Sequence, residues 1–273
     1  MSASETMPSQ GTSTFDLFAL RFQFSARGTV HFPPGETANL FRGQFGKVLY
    51  RQHPDVYAKL FAPVEEDGPS GMHDPPRPFV LRVRHLEPTV LDRFQVGLNL
   101  FETRNPQIAA ITGAMTEVAR ENLRAGIAGI DGMEMLRLPL VAMHEVKRVR
   151  VHFKSPTELK PAGEPEFGTL FARIRDRIST LRALYGSGPL EIDFKAMGER
   201  ASEVAMTYSD LVRVDEERVS RSTGQRHSLG GFTGVAEYEG DLTEFLPYLE
   251  IAQYTGVGRQ TVWGKGEIRV ETF

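Results

Sequence analysis

A chain of 273 residues with 40% hydrophobic content is long enough to hold two cores of ordinary size. A formal charge of −3 and a pI near 6.2 exclude a global electrostatic attraction to polyanions, so any basic surface must be local. The absence of cysteine excludes disulfides, thiolate metal sites and cysteine nucleophiles, and suits a reducing cytoplasm. No apolar run reaches the roughly 20 residues that span a bilayer.

Residues 1–14 are polar and predict a disordered lead. In "DLFALRFQFSA" (16–26), Phe18, Leu20, Phe22 and Phe24 alternate as a strand. "TANLFRGQFGKVLYR" carries a helical stripe through Leu40, Phe41, Phe45, Val48 and Leu49. The Pro-, Gly- and acid-rich segment 53–78 predicts loop. Strands are expected at 78–84 and 93–101, a helix through Ile108, Ile111, Met115 and Val118, and a strand over 133–146. Pro139 places that last strand at an edge or bulge. The order is β-α-β-β-α-β, and it recurs.

In the second copy "VKRVRVHF" is a strand. A helix follows through Phe167, Leu170, Phe171, Ile174, Ile178, Leu181 and Tyr185, capped at Gly186. Strands are expected around 203–220 and 229–239. A short helix over "DLTEFLPYLEIAQY" has Asp241 as N-cap and Pro247 as a kink or stop, and "TVWGKGEIRV" makes the last strand. The fold class is α+β, two tandem ferredoxin-like domains over 15–145 and 146–273.

Chemistry concentrates in the second half. Strand alternation puts Arg148, Arg150, His152 and Lys154 on one face, a surface suited to phosphates. Arg173, Arg175, Arg177 and Arg182 on the following helix, with Arg218, Arg221, Arg226 and Arg259, enlarge the expected basic surface. Gly256, Gly258, Gly264 and Gly266 interrupt a stretch that also holds Arg259, Lys265 and the single tryptophan, Trp263. The spacing fits neither a P-loop nor a dinucleotide fingerprint. A flexible glycine loop lying against a phosphodiester backbone remains, and valine at Gly258 or Gly264 should then cost binding more than stability. No zinc or serine-hydrolase motif occurs, and neither metal nor cofactor is expected.

"GGFTGVAEYEGDLTEFLPYLEIAQYTGVGRQTVWGKGEIRV" (230–270) resembles the C-terminal region of the CRISPR-associated endoribonucleases of the RAMP superfamily. "SRSTGQRHSLGG", "LFRGQFGKVLYR", "VYAKLFAP" and "PRPFVL" are similar to other parts of that family in the expected order. The resemblance implies two ferredoxin-like domains and metal-independent cutting of precursor CRISPR RNA within its repeats. The ribose 2′-OH would attack the adjacent phosphate, leaving a 2′,3′-cyclic phosphate. It also implies repeat RNA as partner, with delivery to interference-complex subunits, in a cytoplasmic monomer or homodimer. A catalytically silent RNA-binding subunit is the alternative. Gly256 stands where several relatives carry histidine, so the catalyst is sought elsewhere: His31 first, near Tyr50 and Lys47 that end the first helix, then His227 and third His152. The RNA-binding set is Arg148, Arg150, His152, Lys154, Arg221, Arg226, Gly256, Gly258, Arg259, Gly264, Lys265 and Gly266.

Overall fold

A computed structural model describes residues 13–63, 75–122, 125–160, 163–214, 217–219, 226–228 and 230–273. The first half contains β1 (Thr14–Phe32), α1 (Thr37–Gln52), α2 (Pro54–Phe61), β2 (Phe79–Arg82), β3 (Thr89–Leu100), α3 (Ile108–Asn122) and β4 (Ala125–Pro139). The second contains β5 (Arg148–Thr157), α4 (Phe167–Tyr185), α5 (Phe194–Ala201), β6 (Ala205–Val214), β7 (Glu217–Val219), β8 (Arg226–Ser228), β9 (Gly231–Glu239), α6 (Leu246–Thr255) and β10 (Ile268–Thr272). The sheets run β2-β3-β1-β4 and β10-β5-β9-β6, all antiparallel. Each has the strand order that a βαββαβ unit produces, so the tandem ferredoxin-like expectation holds.

β1 uses both faces. Leu20, Phe22 and Phe24 are buried beneath α1 and α3, where Phe24 stacks on Phe94 with centroids 5.1 Å apart. Phe15, Leu17 and Ala19 point the other way and join the second core, beside Val149, Val151 and Phe153 of β5. Val262, from the glycine-rich stretch, enters the first core in return.

Three local expectations are corrected. Residues 54–61 are a helix: Pro54 sits in the first turn, where its missing N–H costs nothing, and Val56, Leu60 and Phe61 supply a buried stripe. Pro247 likewise begins α6 instead of ending it, and Phe245, not Asp241, occupies the N-cap. α5 was not anticipated, although Asp193 caps it by accepting from the N–H groups of Lys195 and Ala196. β4 ends at Pro139, on an edge strand, as that proline requires.

Candidate functional site

The glycine stretch is a held structure and not a flexible loop. All four glycines have positive φ, from 68° to 77°. Val257 N–H donates to Gly266 O at 2.9 Å, Gly266 N–H to Pro156 O at 3.0 Å, and Arg259 N–H to Glu158 O at 3.1 Å. A Cβ at Gly258 would lie 2.3 Å from Glu158 O, and one at Gly266 only 1.9 Å from Val257 O. These glycines are required by the protein's own backbone. The expectation that valine there would spare stability is therefore wrong.

This loop docks on the other half of the molecule. A Cβ at Gly264 would meet the Cβ of Ala38 in α1 at 2.5 Å. Trp263 lies against Arg42, whose guanidinium sits 3.7 Å from the ring centroid and 5.4 Å from that of Phe61. Behind the loop, the carboxyl end of α6 is clasped from two sides. Arg82 donates to Gln253 O and Tyr254 O, Asn99 donates to Tyr254 O, and Arg177 donates to Thr255 O at 3.1 Å. Four hydrogen bonds from three side chains on the negative end of a helix satisfy carbonyls left without helical partners. Burial, followed by repulsion from Arg82, pushes the Arg177 guanidinium down to about 10.

A narrow crevice forms between the loop and the start of α1, lined by Gly35, Ala38, Arg84, Glu87, Trp263 and Gly264 among others. Glu87 fills the helix terminus: its carboxylate accepts from Gly35 N–H at 2.8 Å and Thr37 N–H at 2.9 Å. That positive helix end is thus already occupied by an internal anion. His31 is exposed on β1, opposite Val90 of β3 and four residues before Gly35, and is not among the residues that line the crevice.

The other expected residues scatter. Tyr50 lies near the far end of α1, 13 residues past Thr37 and so about 20 Å along the axis from the helix start. Lys265 is buried, at 5% exposure, which removes it from any RNA-facing surface. Arg259 is exposed and paired with Glu158 at 3.2 Å. The β5 alternation is as expected, with Val149, Val151 and Phe153 buried behind it. Its basic face, however, is largely self-neutralised. Arg148 and Arg150 both bind Glu237, at 2.6 and 2.5 Å, and His152 meets Glu271 at 3.2 Å. Hydrogen bonds from Arg150 and then Arg148 hold the Glu237 carboxyl below its usual range. Lys154 is exposed.

On α4, Arg175 donates to Phe194 O and Asp176, while Arg182 donates to Ser13 and Ser187, so both are structural. Arg221 lies outside the described residues, as do the side chains of Arg218, Arg226 and His227. For the last three, the backbone places them on the β7–β8 ribbon, with Arg218 opposite His227. Sequence reasoning missed Arg42, Arg82 and Glu87. The lone tryptophan was the one available signal for Arg42; nothing local marked the other two.

Two family models match this chain. That of the CRISPR-associated endoribonuclease Cas6 covers residues 151–268, and one described as an N-terminal domain covers 15–150. No curated protein matches the sequence significantly. Among solved structures, a Cas6 product complex is 17% identical with a TM-score of 0.61, over 93% of this chain and 100% of that one. Thermus thermophilus Cas6 is 15% identical with a TM-score of 0.55, over 96% and 100% respectively. A Cas6-RT-Cas1–Cas2 complex is 11% identical with a TM-score of 0.57, over 94% of this chain and 29% of that one. These likenesses show a shared fold.

Proposed function

From the premise that this chain belongs, through residues 151–268, to the RAMP-type CRISPR-associated endoribonuclease Cas6 family, we propose that it cuts precursor CRISPR RNA within the repeats without a metal. The observation that carries the reading is the glycine loop of the second half docked on α1 of the first. Such a junction creates a crevice that neither half forms alone, four residues along the chain from the exposed His31.

The 2′-OH oxygen attacks the neighbouring phosphorus in line, and the P–O5′ bond breaks. The products are a 2′,3′-cyclic phosphate and a 5′-hydroxyl. His31 accepts the 2′-OH proton as general base, and solvent water supplies the proton that the departing 5′ oxygen takes up. Arg84 lines the crevice, and Arg42, held against Trp263 of its wall, joins it in supplying positive charge toward the phosphorane. Because Glu87 already occupies the α1 terminus, the scissile phosphate sits outside the helix axis, nearer His31. The cut RNA stays with the protein and passes to other CRISPR proteins, in line with the assembly described for one structural neighbour.

A second reading, a catalytically silent RNA-binding subunit, is favoured by one observation. Among the described residues, no hydrogen-bond partner fixes the His31 ring. One experiment separates the two. End-labelled repeat RNA is incubated with the protein in EDTA and resolved on a denaturing gel, with the new 3′ end tested for resistance to extension until the cyclic phosphate is opened. A single cut with a blocked end supports the nuclease. Retarded but intact RNA supports the silent subunit, and divalent-dependent cutting refutes the proposed chemistry.

A further inference from the structure

We propose that the outer face of α1 between Gly43 and Tyr50 is a stacking site for one unpaired nucleobase of the bound RNA, an inference that rests on the RNA-processing reading above. Glycine inside a helix is unfavourable relative to alanine and usually has a packing reason. Gly46 has one, since a Cβ there would meet the Phe61 ring at 2.8 Å. Gly43 has none: it is exposed, and a Cβ would find nothing within 4 Å. The bare strip so created runs into an open cavity of about 350 Å³ that is also lined by Lys47, Tyr50 and Tyr57.

Tyr50 is 67% exposed, unusual for a large ring, yet it is held edge-on against Tyr57 with centroids 5.2 Å apart. Tyr57 stacks in turn on Phe61 at 5.1 Å. A fixed, exposed ring loses little freedom when a planar group lies on it. Lys47 and Tyr50 are three residues apart on a helix and share a face, so an ammonium stands on the same wall of the cavity as the ring. Arg42 closes the cavity and reaches Trp263, which links the strip to the glycine loop. An apolar peptide would leave these cations without a role; a nucleotide uses the ring and the charge together. Tyr50, expected from the sequence as a proton carrier, is thereby assigned to holding RNA.

The test uses the full chain with repeat RNAs that carry 2-aminopurine singly at each unpaired position near the cut, read by fluorescence quenching and by titrated affinity. In the wild type one position is quenched. Tyr50→Ala abolishes that quench and weakens binding about 10-fold, while Tyr50→Phe retains both. Gly43→Leu melts no lower than the wild type and loses the quench, because its side chain covers the strip. The site is overturned if the quench survives Tyr50→Ala and Gly43→Leu, or if Tyr50→Phe behaves as Tyr50→Ala. A wild type that binds and cuts repeat RNA with no position quenched overturns the stacking site alone. A wild type that binds no repeat RNA overturns the functional reading with it.

Discussion

Gly266→Ala should lower folding stability by about 2–5 kcal/mol. At φ 68° an added Cβ costs about 1–2 kcal/mol from the left-handed backbone alone. It would also sit 1.9 Å from Val257 O, so Val257 or Gly266 must move. Either movement breaks the Val257 N–H to Gly266 O bond, the Gly266 N–H to Pro156 O bond, or both, each worth about 1 kcal/mol. Against a typical total of about 5–15 kcal/mol the loss is large, and it corresponds to a fall in melting temperature of about 5–15 °C. Urea and thermal unfolding followed by circular dichroism measure both quantities. Gly43→Ala is the matched control: the residue is helical and its Cβ has open space, so stability should rise by about 1 kcal/mol. Melting of Gly266→Ala within 2 °C (roughly the shift of half a kcal/mol) of wild type would refute the held loop and restore a flexible one.

His31→Ala should depress the single-turnover cutting rate by about 10²–10⁴-fold with RNA affinity unchanged, as quenched-flow and filter binding will show; an unchanged rate removes His31 from the chemistry. Glu237→Gln should free Arg148 and Arg150, raise RNA affinity and steepen its salt dependence in binding titrations. The same variant bears on acid stability. Because the folded Glu237 carboxyl titrates below its ordinary 4.5, its contribution is complete above that pH and is lost as pH falls through the folded value, so unfolding of the variant should be less acid-sensitive in that window. Glu87→Ala should cost about 2 kcal/mol in urea melts, since Gly35 and Thr37 N–H lose a charged acceptor; a neutral result would mean that water replaces it without penalty.

Periodicity made most strands of both sheets and the α4 stripe legible, because burial on one face is written at spacings of two or 3.6 residues. But β4, expected over 133–146, runs from Ala125 to Pro139, and the last strand, expected from Thr261, begins only at Ile268. Composition misled at residues 54–61, where Pro54 and Asp55 read as loop residues but serve as first-turn residues of a helix. The basic strand was legible as a strand and illegible as a surface. Glu237 and Glu271 are distant in sequence and reach Arg150 and His152 only through register across β9 and β10. Lys265 reads as a loop cation until the loop is seen folded against α1. The Glu87 carboxylate at α1 could not be found locally, since 50 residues separate it from Thr37.

The exchange of core residues sets a timetable for biosynthesis. Phe15, Leu17 and Ala19 lie in a core whose other walls, α4 and α6, come about 150 residues or more later, and Val262 plugs a core whose last helix ended with Asn122. At about 5–20 residues per second, the ribosome needs roughly 7–28 s to travel from that helix to Val262. Throughout that interval the nascent first half must keep a hydrophobic strand face uncovered and an unfilled gap beneath α1. The crevice at the start of α1 is walled by Trp263 and Gly264 and forms only when the glycine loop arrives, so a stalled or shortened translation product would lack the place where we propose RNA is cut.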